Sequence, residues 1–237
     1  MSNKPIDTSV TVLPDGSIIE DDNPLHKYSY ALGSQFEQTF HSSLYAESLQ
    51  KENPKNSNEI DVPLRVMKLL HESDPILKQE PLPWNFDENQ GDPHEMHNLL
   101  LENMVAHNGL GLSANQIGMP VKVFSMYVTE QEGIVCFNPK ITQESDELVT
   151  MKEGCLSYPE LYLNVRRPAE IWVNYQNADG DIINAHFEGL AARIFHHEMD
   201  HMMGKTFIDK VSRVFLQSAR RKQKKLLRKG RQDGRTD

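Results

Sequence analysis

Residues 197–201 read His197-Glu198-Met199-Asp200-His201, and the fold and chemistry of the chain depend on this pentad. On an α-helix, residues four apart lie on one face, so both imidazoles can reach one cation. Glu198 stands beside the first histidine, where it could take a proton from water on that cation. Residues 190–195 are good helix formers without proline, which favours the helix. The pentad alone leaves open an exposed helix whose histidines bind nothing.

A catalytic metal site needs a third protein ligand, which the pentad does not supply. Phe207 stands where HExxHxxGxxH proteases carry a third histidine, and no Glu or His follows residue 201. The third ligand must therefore lie upstream. One of the two cysteines, Cys155, stands in the stretch Glu153-Gly154-Cys155-Leu156-Ser157. A thiolate and two imidazoles make a Cys-His-His site that leaves a fourth position for water.

Three segments, in this order, resemble the sequence patterns of the peptide deformylase family. Residues 109–116 are similar to GΦGΦAAxQ, with Ser113 in place of the first Ala. Residues 153–157 match EGCLS at every position, and residues 196–202 are similar to QHExDHL. The resemblance covers roughly residues 60–230 and is specific because all three patterns occur together.

The third segment departs from its pattern twice, with His196 for Gln and Met202 for Leu. His196 places a second imidazole next to the expected ligand. It points about 100° away from His197 around the helix. The expected ligand set is therefore Cys155, His197 and His201.

The resemblance implies removal of the formyl group from N-formylmethionyl peptides, with release of formate. Glu198 would accept a proton from water on the metal and return it to the leaving amine. The Gln116 side chain and the Leu156 backbone N–H would donate to the developing oxyanion. Two other classes of protein stay open: a metallopeptidase that cuts internal peptide bonds, and an inactive binding module that keeps a structural metal.

Substrate contacts follow from the same resemblance. The positions that match the family's methionine pocket are Leu110, Leu190, Ile194 and the face of His197. Gly111 and Gly154 would let a peptide lie between two chain segments as an added strand. Ordinary core residues and plain turn glycines are the alternatives. Tyr162 stands where some family members carry an arginine that meets the peptide, so preference beyond formyl-methionine stays open.

Residues behind the ligands can also be predicted, because a ligating histidine normally donates its other N–H to a carboxylate or carbonyl. Glu153 and Asp200 are the candidate carboxylates, and Arg167 could pair with Glu153. For Asp200 the alternative is a solvated helix residue.

We expect one divalent metal per chain. Cys-His-His suits Zn²⁺ by geometry and softness, whereas the resemblance favours Fe²⁺ as the physiological ion, with Zn²⁺, Ni²⁺ or Co²⁺ in purified protein.

The composition and the N-terminal sequence indicate the cellular compartment of the chain. Its 237 residues are 38% hydrophobic, and no run of 18 apolar residues predicts a membrane span. The N-terminus lacks an apolar segment and has no Arg before Arg65, which argues against a secretory signal or transit peptide. Two cysteines make no disulfide framework, which points to a reducing cytoplasm. We expect a monomer.

The chain divides into three parts. Residues 1–58 are expected to be a partly disordered extension, with a small hairpin around Pro14-Asp15-Gly16 or a partner-binding role. Residues 59–211 would form the catalytic domain and residues 212–237 a basic C-terminal helix. Apart from helices at 93–107 and 189–201, the patterns predict strands at 121–126, 133–138, 149–157, 161–166, 171–175 and 181–187. The expected fold class is α+β, with antiparallel β-sheets packed around the metal-binding helix.

Charge is unevenly distributed. Residues 213–237 hold ten Lys and Arg against two Asp, a net charge of +8, whereas residues 1–212 carry −17. A basic tail on an acidic body suggests an anionic partner. Since the implied substrate occurs on new chains, we predict contact with ribosomal RNA near the nascent-chain exit. A solvated basic helix without a partner is the alternative.

Overall fold

The computed structural model describes residues 66–87, 90–129 and 131–232, together with the backbone of two short segments near the N-terminus. Those segments are strands β1 (Thr11–Val12) and β2 (Ile18–Ile19), which pair antiparallel. This register is the one expected of a hairpin that closes at residues 14–16. The turn itself and the rest of the predicted extension lie outside the described residues.

Helix α1 (Pro93–Ala106) begins where Asp92 accepts the backbone N–H of His94 at 2.8 Å, as an N-terminal cap. The face that it buries carries Met96, Leu100, Leu101 and Met104. The residue in the left-handed conformation after the helix is Asn108, with φ 53°. In the sequence, Asn108-Gly109 is expected to end this helix with Gly109 as the left-handed residue. That expectation is wrong, because asparagine also adopts the conformation readily and Asn108 takes this place.

Seven further strands form the sheets of the catalytic part. They are β3 (Gly111–Ser113), β4 (Val123–Tyr127), β5 (Gly133–Glu144), β6 (Leu148–Cys155), β7 (Tyr158–Pro168), β8 (Glu170–Gln176) and β9 (Ile182–Glu188). Five of them make an antiparallel sheet in the order β3-β4-β5-β8-β9, and β6 pairs with β7 as a separate antiparallel ribbon. The six predicted strands are confirmed, with ends shifted by several residues. β3 was not predicted, because three residues are too few to show an alternating pattern.

Strands β6 and β7 alternate between two environments. Leu161, Leu163 and Val165 of β7 are buried, whereas the residues between them face outwards. Along β6, Glu153 is buried and Gly154 is exposed. The register changes after the pair Gly154–Tyr162, so that Cys155 faces Tyr158 at the end of the ribbon. This places Cys155 where β6 meets the loop to β7.

Helix α2 (Gly189–Met202) lies between the sheet and the ribbon. Its apolar side chains Ala192, Phe195 and Met202 pack with Phe124, Met126, Ile171 and Val173 of the sheet. The opposite face turns its polar groups, including Arg193 and His197, towards β6. The predicted α+β arrangement, with antiparallel sheets packed around the helix of residues 197–201, is confirmed.

Helix α3 (Arg213–Gln232) closes the described chain. Its side chains Leu216 and Ala219 pack against buried residues of β7. Gln223 donates to the carbonyl of Pro159 at 2.8 Å, and Arg220 forms an ion pair with Glu72. Within the described residues, none of the helices combines the length and apolar character that crossing a lipid bilayer requires.

Candidate metal and catalytic site

Three side chains from distant parts of the sequence meet between β6 and α2. His197 and His201 lie one turn apart on α2, with ring centroids 5.5 Å apart. Cys155 arrives from the end of β6, and its Sγ lies 3.4 Å from Nε2 of His201. One ligand atom from each residue falls within 4.8 Å of the others. A single small cation could therefore contact all three atoms.

The chemistry of these groups fits a soft divalent cation. A thiolate with two imidazoles is a donor set that zinc and iron accept. Burial lowers the pKa of His201 to about 3, so its imidazole is neutral, as a ligand must be. Burial also acts to lower the pKa of His197, but Cys155 and Glu153 outweigh it and raise that pKa. A position that favours a proton beside the Cys155 sulfur and the Glu153 carboxylate favours a metal cation for the same reason.

Glu198 points towards β3. Its side chain is 3% exposed, and Oε2 accepts a hydrogen bond of 2.5 Å from the hydroxyl of Ser113. Burial raises the pKa of Glu198, against the lowering effects of the His197 charge and the Ser113 hydrogen bond. A Cβ added to Gly111 would lie 2.5 Å from Oε1 and 2.9 Å from Ile194. The glycine of β3 therefore makes the space that the carboxylate occupies.

Gln116 is fixed by the turn that follows β3. Its Oε1 accepts the backbone N–H of Ser113 at 2.9 Å. Its Nε2 consequently faces the sulfur of Cys155 at 3.4 Å and the hydroxyl of Ser157 at 3.2 Å. Leu156 directly follows the cysteine, and a Cβ on Gly109 would meet its side chain at 2.8 Å. The segment before Gln116 and the loop after β6 thus lie against each other beside the three donors.

Glu153 contacts the Nδ1 atom of the His197 ring. Its Oε2 lies 3.0 Å from Nδ1 of His197, which leaves Nε2 for a metal. Arg167 donates to both carboxylate oxygens, at 2.7 and 2.8 Å, and Arg193 donates to Oε1 at 2.8 Å. The Arg193 contact was not predicted, although its place four residues before His197 puts both on one helix face.

Asp200 is buried but turns away from the three donors. It pairs with Arg167 at 2.9 Å and with Lys210 at 2.9 Å. Arg167 thus links Asp200 to Glu153. His196 also lies apart from the donor group, with Nδ1 3.9 Å from a carboxylate oxygen of Glu144.

The structure gives contacts for several of the residues expected to bind substrate. Leu110, Leu190 and Ile194 belong to one apolar cluster. A Cβ on Gly154 would meet the ring of Tyr162 at 2.8 Å. The space that Gly154 leaves is filled by this chain's own tyrosine. Lys152 lies above the same ring, 4.5 Å from its centre.

Comparison with known proteins agrees with this architecture. The family model for polypeptide deformylase matches residues 66–215. The peptide deformylase of Thermotoga maritima is 37% identical over 140 residues, which are 59% of this chain and 83% of the relative. The chloroplastic peptide deformylase 1B of Oryza sativa is 36% identical over 176 residues, covering 72% of this chain and 63% of the relative.

Solved structures show the same likeness. The peptide deformylase of Legionella pneumophila superposes with a TM-score of 0.64 at 30% identity, covering 73% of this chain and 99% of that one. A Met-Ala-Ser-bound peptide deformylase of Acinetobacter baumannii gives a TM-score of 0.60 at 27% identity, covering 63% and 100%.

The fold and the donor set together define a hydrolase of the metalloenzyme class, with a thiolate and a helical histidine pair next to a buried glutamate. Within that class, the chain belongs to the polypeptide deformylase family and is a deformylase, an enzyme that removes N-formyl groups.

Proposed function

We propose that this enzyme deformylates N-formylmethionyl peptides with Cys155, His197 and His201 as ligands of one divalent cation. The observation that carries the proposal is the convergence of these donors with Glu198 and Gln116 in one buried region. We propose Fe²⁺ as the native ion, with Zn²⁺, Ni²⁺ or Co²⁺ as replacements. When bound, such an ion polarises a carbonyl and lowers the pKa of water.

The reaction then depends on how the protein moves one proton. Glu198 accepts a proton from the attacking water, whose oxygen bonds to the formyl carbon. The formyl oxygen gains negative charge, which the Gln116 amide and the Leu156 backbone N–H stabilise as donors. Glu198 returns the proton to the peptide nitrogen as the C–N bond breaks. The products are formate and a free methionyl amine.

Substrate selection would come from the apolar cluster that contains Leu110, Leu190 and Ile194, which would receive the methionine side chain of a bound peptide. The absent side chain of Gly111 leaves room for Ile194 and Glu198 at this place. The Acinetobacter relative, whose structure contains Met-Ala-Ser, supports a peptide of this kind as the substrate.

Three larger-scale proposals accompany the reaction. We propose that residues 59–211 form the catalytic domain, preceded by an extension (1–58) and followed by the basic segment (212–237). We also propose a monomeric enzyme in the cytoplasm. The support for this location is the composition, which includes only two cysteines.

Formate release tests the function directly. The protein is purified without oxygen, its metal is quantified, and formate is measured with formyl-Met-Ala-Ser. We expect one formate per peptide, an intact Met-Ala-Ser product by mass spectrometry and no reaction with acetyl-Met-Ala-Ser. The variant Glu198→Ala should keep its metal and lose turnover. Backbone fragments would instead identify a metallopeptidase, and a metal-loaded protein without turnover would identify a binding module.

We propose further that α3 docks on ribosomal RNA. The basic residues Arg213, Arg221, Lys222, Lys224, Lys225, Arg228 and Lys229 are exposed, and residues 213–229 contain no acid. The opposite face is fixed to the domain by Gln223 and Arg220. The positive charges are therefore presented on one side of an anchored helix, as phosphate contacts require.

Co-sedimentation with ribosomes at low and high salt tests this docking. Arg221→Glu, Lys224→Glu and Lys225→Glu together should abolish binding at low salt. The same change of charge made elsewhere, by Lys68→Glu, Lys78→Glu and Lys140→Glu, should have little effect. Equal binding by both triple variants, or binding that does not weaken with salt, would contradict the proposal.

A further inference from the structure

The reaction leaves one polar contact of the site without a role. Ser113 is fully buried, and its hydroxyl donates to Oε2 of Glu198 at 2.5 Å across 85 residues of sequence. A short hydrogen bond to a buried carboxylate is among the stronger ones in proteins.

Ser113 is held by the backbone around it. It pairs with Phe124 across β3 and β4, and its N–H donates to Oε1 of Gln116. Its hydroxyl therefore starts from a fixed strand position, and not from a mobile loop. A donor that is fixed in this way restricts the carboxylate that it binds.

The two oxygens of Glu198 lie in different surroundings. Oε2 is engaged by Ser113, whereas Oε1 faces the space that the missing side chain of Gly111 creates. An ionised carboxylate only accepts hydrogen bonds, and a carboxylic acid still accepts at its unprotonated oxygen. The Ser113 hydroxyl can thus keep donating throughout the reaction if the proton binds Oε1. A proton on Oε2 would meet a donor and would require the hydroxyl to turn.

We propose that Ser113 is a positioning residue that fixes the Glu198 carboxylate and directs the transferred proton to Oε1. The inference depends on the proposed role of Glu198 as the proton carrier. One proton passes from water to Oε1 and from Oε1 to the leaving nitrogen, while the Oγ–H···Oε2 bond stays intact. Substrate binding does not involve Ser113.

Kinetics of Ser113→Ala test this role. We expect kcat to fall roughly ten- to a hundredfold, as for a lost hydrogen bond to a charged group. KM and metal content should stay unchanged, because the Ser113 hydroxyl acts on Glu198 and, among the described residues, forms no hydrogen bond with the three donors. Ser113→Cys keeps the shape with a weaker donor, so its kcat should lie between those of Ser113→Ala and the wild type.

A matched control separates positioning from general stability. Ser125 is also fully buried, but its hydroxyl donates to the carbonyls of Leu100 and Leu112. Ser125→Ala should lower the melting temperature and leave kcat within twofold of the wild type. An equal loss of kcat in Ser113→Ala and Ser125→Ala would overturn the inference, because it would show that loosening the core is sufficient.

A second readout does not require turnover. The melting temperatures of Ser113→Ala, Glu198→Ala and the double variant form a thermodynamic cycle, in which the two changes should be clearly non-additive. Additive changes would overturn the contact. If the wild type releases no formate, the proposed function fails, whereas an active wild type with an equally active Ser113→Ala defeats only this inference.

Discussion

Two buried glutamates flank the same histidine, and they are supported in opposite ways. Glu153 is surrounded by Arg167, Arg193 and His197, whereas Glu198 receives one hydrogen bond from Ser113. Burial alone would raise the pKa of both carboxyls, but the cations around Glu153 hold its pKa far below the usual range. Burial prevails at Glu198, whose pKa is raised.

The contrast separates a structural anion from a group that can exchange protons. Because its pKa is lowered, Glu153 stays ionised. A permanently ionised carboxylate suits a residue that orients an imidazole. Glu198 has few charges to hold it in one protonation state, which suits a residue that must accept and release a proton. The same side chain thus serves two purposes because its neighbours differ.

The largest effect should come from Glu198→Gln. This change keeps the shape and removes the proton acceptor, so we expect kcat to fall by about 10²–10⁴. Metal content and melting temperature should remain close to those of the wild type. Steady-state formate release and metal analysis check both expectations, and substantial residual turnover would exclude Glu198 as the proton carrier.

Glu153→Gln should show the opposite pattern. It leaves Arg193 buried without its carboxylate partner, and Arg167 keeps only Asp200. Breaking a buried ion pair in this way typically destabilises a fold by about 3–5 kcal/mol. Metal affinity should fall roughly 10–100-fold because His197 loses its orienting partner. Chemical denaturation and competition with a chelator measure the two quantities. A variant with normal stability and affinity would contradict the structural role.

Gly111→Ala tests the space around Glu198. The new methyl group would lie 2.5 Å from Oε1, so the carboxylate must shift away from its position. A displacement of about 1 Å in a reacting group can lower turnover by roughly 10²-fold. We expect a loss of that size in kcat with the metal retained. Turnover at the wild-type level would show that Glu198 tolerates the movement.

The smallest effect should come from the edge of the Glu153 network. Lys210 is about a third exposed and pairs with Asp200, which keeps Arg167 as its buried partner. Lys210→Met should therefore lower stability by less than about 1 kcal/mol. Turnover should be unchanged, and thermal denaturation with formate release measures both. A loss comparable to that of Glu153→Gln would mean that Lys210 belongs to the structural centre of the network.

The parts of the molecule that could be predicted from the sequence are those that local patterns encode. Helical spacing predicted α2, and the three family patterns predicted which residues would come together with Cys155. The roles of those residues remain predictions, although the structure places them in one region. Alternation predicted the longer strands because each has one buried face.

The contacts that sequence reasoning missed join distant segments. Arg193 and Ser113 meet their carboxylates across 40 and 85 residues, and no local pattern encodes such a pairing. The ring of Tyr162 likewise lies against Gly154 from the neighbouring strand, a contact that depends on strand pairing and not on a local pattern.

Cys155 and Glu153 stand two residues apart at the end of β6, and both contact histidines of α2. A single inserted or deleted residue before this pair would turn both side chains outwards together. The site would then lose the Cys155 sulfur and the Glu153 carboxylate that contacts His197 at the same time. Changes of length in this ribbon should therefore be far less tolerable during evolution than most single substitutions in it.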